Sequence, residues 1–126
     1  MLKQACTTIA IACLFGCGGS STSPVTQTSV NTPPPPGGIS VTNNAFTPAS
    51  KNVAVGMSVQ WAWNACTGGD GYSGQTCVAH NVVFDDGVSS GVQDQGTFNR
   101  TFAAVGTYNY HCAVHGTAMS GSITVQ

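Results

Sequence analysis

Short stretches of alternating apolar residues, separated by glycines, constrain the fold of this chain more than any other feature. Seven such segments follow one another: 39–41, 53–55, 58–63, 82–84, 97–102, 107–112 and 122–125. No window has the 3.6-residue apolar period of a helix, and Val59, Trp61 and Trp63 fall on one face of their segment. The pattern predicts a single all-β domain over residues 39–126, built as a β-sandwich or barrel.

The first residues have the pattern of an export signal. Lys3 precedes an apolar run, 9–15, that is too short to cross a bilayer. The run ends in Leu-Phe-Gly-Cys17, which resembles a bacterial lipobox, where the cysteine is lipidated and becomes the mature N-terminus. We expect residues 1–16 to be a lipoprotein signal peptide, with an ordinary cleaved signal as the alternative. A lipid on Cys17 would hold the exported protein at a membrane, on the periplasmic or cell-surface side.

Residues 17–38 predict a tether between that lipid and the domain. The segment is rich in Ser, Thr, Pro and Gly and has almost no large apolar side chains, so little burial can offset the entropy of ordering it. The four prolines at 33–36 favour a stiff polyproline II stretch, and a proline-rich docking ligand is the alternative.

Charge excludes one class of partner. The chain has three basic and four acidic residues and a net charge of −1, so it cannot neutralise a run of phosphates. We therefore expect the chain not to bind nucleic acid. We also expect it to be a monomer. Three cysteines, Cys66, Cys77 and Cys112, fall in the domain, and in an oxidising compartment two of the three should pair.

Residues 110–119, YHCAVHGTAM, concentrate the metal-ligating side chains of the chain. Strand alternation puts Cys112 on one face and His111 on the other, so His111 is expected to face solvent. His115 and Met119 follow within seven residues, and Gly116 allows the chain to turn between them. Thiolate, imidazole and thioether together suit copper, whose electron-transfer sites take a second histidine. His80 is the histidine that remains.

The run from Gly106 to Val125 resembles the C-terminal signature of the small blue-copper proteins, the plastocyanin/azurin-like cupredoxins, and 80–84, HNVVF, resembles their first-histidine segment. This resemblance implies an antiparallel Greek-key β-sandwich that holds one type 1 copper ion. By resemblance, His80, Cys112 and His115 are the equatorial ligands and Met119 is the weak axial one. Asn81 matches a position that braces the two ligand loops by hydrogen bonding.

The resemblance implies electron transfer rather than catalysis, so we expect no enzymatic activity. Redox partner proteins would dock weakly and transiently near His115, over Val114, Gly116 and Ala118. The segment from Cys66 to Cys77 looks like a glycine-rich insertion before His80, and a Cys66–Cys77 disulfide would close it. The alternative is that these two cysteines ligate metal.

Four other functions compete with electron transfer. A periplasmic copper carrier could use the same ligands without a redox role. A structural zinc site would fit Cys and His, although methionine is a poor zinc ligand and paired Cys-x₂-Cys spacing is missing. A thiol hydrolase built on Cys112 would need an orienting acid or amide that the sequence does not evidently place. The last alternative is a metal-free adhesion-type sandwich in which Cys112 is merely a buried thiol.

Overall fold

The computed structural model describes residues 31–69 and 74–126, so the predicted signal peptide and lipid cysteine lie outside the described residues. Ten strands occur in the described residues: β1 Ile39–Thr42, β2 Ala45–Thr47, β3 Ser50–Val53, β4 Ser58–Trp63, β5 Cys66–Thr67, β6 Thr76–Cys77, β7 Val83–Phe84, β8 Thr97–Thr101, β9 Gly106–Cys112 and β10 Gly116–Val125. A search of the same residues for a helix long and apolar enough to cross a membrane finds none.

Eight of the strands form two four-stranded sheets around one core. The first sheet has the order β2-β1-β4-β8 and the second β3-β10-β9-β7, while β5 and β6 form a separate two-stranded ribbon. One neighbouring pair in each sheet, β1 with β4 and β3 with β10, is parallel, and the other pairs are antiparallel. The all-β sandwich predicted from the sequence is confirmed, with these two parallel pairs added to it.

The core lies where the alternation places it. Val59, Trp61 and Trp63 of β4 are all at most 1% exposed, which confirms their shared inward face. The Trp61 ring packs edge-on against Phe84 and Tyr110, at centroid distances of 5.6 and 5.4 Å. Each aromatic side chain buried in this way contributes about 2–3 kcal/mol through removal of apolar surface from water. The two sheets are therefore joined by a dense aromatic cluster just below the end of β9.

Two strands differ by more than one residue from the segments that the sequence predicts. The segment expected at 53–55 is the strand Ser50–Val53, and Val55 is 47% exposed in the turn that follows. The last strand begins at Gly116 rather than at Ser122, and its pairing with β9 shifts between Gly116 and Ser120. Residues 117–119 form the resulting bulge, which begins two residues after His115.

Candidate metal centre

Cys112 is the last residue of β9, and its side chain is completely buried. It carries a free thiol. The chain then turns back on itself, because the amide of His115 donates a hydrogen bond of 3.2 Å to the carbonyl oxygen of Cys112. Gly116 follows with φ +64°, a left-handed conformation that is sterically strained for residues with a Cβ. This tight turn brings the His115 ring back over the thiol, so two predicted ligands meet through local backbone geometry.

His80 comes from a different part of the sequence and is held by its backbone. Its amide donates to the carbonyl of Gln93 at 2.9 Å, and the Gln93 amide donates back to the carbonyl of His80 at 2.9 Å. The His80 side chain is completely buried. The two-bond bridge fixes the ring against the end of β9. The sequence did not identify Gln93, since its contribution is made by the backbone and has no side-chain signature.

The donor atoms of the three residues converge on one point. Nδ1 of His80 lies 3.8 Å from Sγ of Cys112 and 3.1 Å from Nδ1 of His115, which lies 3.5 Å from the same sulfur. Three atoms at these separations are equidistant, at about 2 Å, from a single point in their plane, which is the length of a metal–imidazole bond and slightly less than a metal–thiolate bond. The donor set therefore fits one metal ion without rearrangement of the backbone.

The protonation of His80 suits a metal ligand. Burial, and then the nearby His115, lower the pKa of His80 below its ordinary value of 6.5. The imidazole is thus neutral at pH 7, with one nitrogen free to donate a lone pair. Nδ1 faces the other two donors, so we assign the proton to Nε2. That nitrogen is buried and has no hydrogen-bond partner among the described residues.

Asn81 and Met119, predicted to brace the ligand loops and to be the weak fourth ligand, both lie buried near the centre. The side-chain oxygen of Asn81, which is 5% exposed, accepts a 2.7 Å hydrogen bond from the amide of Ala113. It thereby joins the His80 segment to the Cys112–His115 turn. Met119 is 1% exposed and belongs to the same buried cluster as Cys112, at the end of the β10 bulge.

The remaining predicted residues separate into those at the centre and those outside it. His111 lies on the other face of β9 from Cys112 and outside the cluster of ligating atoms, but it is half-buried rather than fully exposed to solvent. Cys66 and Cys77 are joined in a disulfide across β5 and β6, so they are not metal ligands. Among the described residues, the cluster that could hold a metal consists of His80, Cys112 and His115.

Comparison with known proteins adds a family and a fold. Residues 38–126 match the model of the family described as copper binding proteins, plastocyanin/azurin family. A reduced mutant of amicyanin is 22% identical, with 71% of this chain and 80% of that chain covered and a TM-score of 0.57. A purple cupredoxin from Nitrosopumilus maritimus is 21% identical over 71% and 98% of the two chains, with a TM-score of 0.57. A mutant plastocyanin of a fern is 23% identical over 71% and 99%, with a TM-score of 0.54. At these identities, the solved structures establish the fold.

Proposed function

Because the chain belongs to the plastocyanin/azurin family of copper-binding proteins, we propose that it carries single electrons through one copper ion held by His80, Cys112 and His115. The observation that carries this proposal is the convergence of the three donor atoms on one point. We assign the weak fourth ligand to Met119, which is buried beside the centre. A Cys-His-His set with a distant thioether is typical of electron-transfer copper.

When bound, copper supplies a one-electron couple, and the protein residues provide a site that suits both of its states. His80 and Cys112 are both 0% exposed, so water is excluded from two of the three donors. The Gln93 bridge and the Asn81 hydrogen bond hold the two ligand-bearing segments independently of the metal. A frame that is fixed in this way limits how far the donors move when the charge at the centre changes.

His115 is the ligand through which an electron would enter and leave. It is half-buried, whereas the other two members of the cluster are fully buried. Its neighbour Val114 is 52% exposed, and the stretch 110–119 contains no Asp, Glu, Lys or Arg. A small, uncharged surface of this kind favours weak, short-lived docking of a redox partner, since long-range electrostatic attraction is small.

We further propose that the protein is exported and held at a membrane by lipid on Cys17. The support is the sequence: a short apolar run that ends in Leu-Phe-Gly-Cys, followed by a segment poor in large apolar residues. Which membrane receives the lipid is determined by sorting of the lipoprotein in the cell, not by the metal centre.

The copper proposal is tested by colour and by exchange. The mature chain, supplied with Cu(II), should develop an intense visible thiolate-to-copper charge-transfer band, and Cys112→Ser or His115→Ala should abolish it. His111→Ala is the matched control, because His111 is adjacent to Cys112 but outside the cluster, and it should keep the band. A colourless protein that binds one equivalent of zinc would refute the proposal. Rapid loss of copper to a chelator would favour a copper carrier, while a retained ion that cycles reversibly supports the electron carrier.

A further inference from the structure

The first residues that the structure describes lie at the end of the sandwich that holds the metal centre. We call this end the metal pole and define it by Trp63, His80 and Cys112. Trp63 is the last residue of β4, and its amide donates a hydrogen bond to the carbonyl oxygen of Gly96. Gln93, three residues before Gly96, is paired with His80 by two backbone hydrogen bonds. The opposite end, the distal pole, is where β4 and β9 begin, and it exposes Met57 and Val105.

Asn31 and Thr32, which precede β1, are hydrogen-bonded to the backbone at the metal pole. The side chain of Asn31 makes a pair of hydrogen bonds with the backbone of Cys66: Nδ2 donates to the carbonyl oxygen and Oδ1 accepts from the amide, both at 3.0 Å. The amide of Thr32 donates to the carbonyl oxygen of Trp63 at 3.0 Å. Both residues are half-buried. These three bonds attach a segment that composition alone assigns to the tether.

We propose that Asn31 and Thr32 fix the exit of the tether at the metal pole, so that the lipidated protein presents its metal centre toward the membrane. The inference rests on the proposed lipid anchor at Cys17. It implies a particular kind of partner, namely a redox protein held in or on the same membrane, whose electron port opens close to the bilayer surface.

Chain dimensions decide whether the attachment point sets the orientation. Fourteen peptide steps separate Cys17 from Asn31. Fully extended, these steps reach at most about 50 Å. The ten residues of β10 show that the sandwich is roughly 33 Å long. A tether that starts at the metal pole must therefore use about two thirds of its maximum span to pass along the domain before the distal pole can face the bilayer.

If the tether instead left the domain at β1, the metal pole would no longer be favoured to face the bilayer. Ile39, the first residue of β1, pairs with Trp61 in the middle of the sandwich rather than at its end. Release of 31–38 would add eight residues to the tether and move its origin away from the metal pole. The hydrogen bonds of Asn31 and Thr32 are thus the structural element that produces the orientation.

Energy transfer from the domain to the bilayer tests the proposal. After removal of the signal peptide, Lys51 is the only lysine, so Lys51→Arg gives a background without lysine side chains. In that background, Val92→Lys places one dye site near the metal pole and Val105→Lys places one at the distal pole; both valines are exposed, at 62% and 70%. The lipidated full-length mature protein is inserted into phosphatidylcholine vesicles that contain acceptor-labelled headgroups, and the lysine-free background corrects for dye at the N-terminus.

We expect transfer from position 92 to exceed transfer from position 105 by at least about twofold, because the two sites are separated along a domain roughly 33 Å long. The double variant Asn31→Ala/Thr32→Pro removes the side-chain bonds and the amide donor, and should bring the ratio close to one. Asn52→Ala replaces an exposed side chain of β3; it is the matched control and should leave the ratio unchanged.

Equal or reversed transfer from the two sites would overturn the orientation, as would a double variant that keeps the wild-type ratio. A mature chain that does not float with vesicles would overturn the anchor and the orientation with it. A normal copper band in that same sample would show that the proposed copper chemistry stands independently of the failed anchor.

Discussion

Gly121 is the position at which one added methyl group tests the packing beneath the metal centre most directly. A Cβ at this residue would lie 2.5 Å from the carbonyl oxygen of Ala49 and 2.5 Å from both Cζ and Oη of Tyr110. Ordinary contact begins near 3.4 Å, so these neighbours would have to retreat by about 1 Å in a close-packed interior. We therefore expect Gly121→Ala to destabilise the fold.

Neither neighbour can retreat freely. Tyr110 is 1% exposed, and its ring packs edge-on against Phe46 and Trp61, at centroid distances of 4.9 and 5.4 Å. The Ala49 carbonyl already accepts a 2.8 Å hydrogen bond from the amide of Ser122 and a 3.4 Å bond from the Tyr110 hydroxyl. Overpacking of a filled core costs about 1–3 kcal/mol, and a contact with two fixed neighbours belongs at the upper end, about 3 kcal/mol.

Denaturant unfolding of the copper-free protein measures this cost without the stabilisation that a bound ion would add. Gly74→Ala is the matched control, because a Cβ at Gly74 meets no heavy atom of the described residues within 4 Å and Gly74 is not among the glycines with a left-handed φ. The control should stay within about 0.5 kcal/mol of wild type. If Gly121→Ala unfolds at the same denaturant midpoint as Gly74→Ala, the packing argument is wrong.

Three further outcomes follow from single contacts. Asn81→Ala removes the bond to the Ala113 amide, so the copper-free protein should lose about 1–2 kcal/mol in denaturant unfolding, and Asn81→Asp, which keeps the acceptor, should lose less. Burial raises the pKa of Tyr110 from 10 to about 12, so the folded state keeps a proton that the unfolded state releases. Stability should accordingly fall by up to about 3 kcal/mol between pH 10 and 12, and Tyr110→Phe should remove that part of the alkaline loss, as pH-dependent unfolding would reveal. Replacement of Cys66 and Cys77 by serine opens the disulfide and should cost about 3 kcal/mol in the same unfolding assay; an unchanged midpoint would contradict the loop-entropy account.

Period-two alternation was the sequence signal that predicted most of the fold and, within the site, the choice of Cys112 over His111. It placed Trp61 and Trp63 in the core and separated Cys112 from His111, and burial confirms both. Its success has a simple reason: a strand that packs one face on a core must repeat its apolar residues every second position. The pattern works best where a strand keeps one register, as in β4 and β9, and it fails in β10, where the bulge between Gly116 and Ser120 interrupts the pairing.

Alternation could not predict the features that depend on contacts distant in sequence. The strands β2, β5 and β6 have only two or three residues, too few to show a period. The attachment of residues 31–32 depends on backbone groups of Trp63 and Cys66, and a Pro- and Ser-rich composition gives no sign of such bonds. His80 was identified by elimination and by family resemblance, because its place beside Cys112 depends on how the chain segments pack.

Three contacts position the ligand residues of the centre. His115 reaches the thiol through a turn closed by the Cys112 carbonyl, and His80 is fixed through the backbone of Gln93. The Asn81 oxygen then ties the two ligand segments together. Each of these three constraints involves atoms that do not ligate the metal, so a change of charge at the centre need not displace the ligand segments. A centre held in this way is expected of an electron carrier, since each transfer is slowed by any rearrangement that must accompany it.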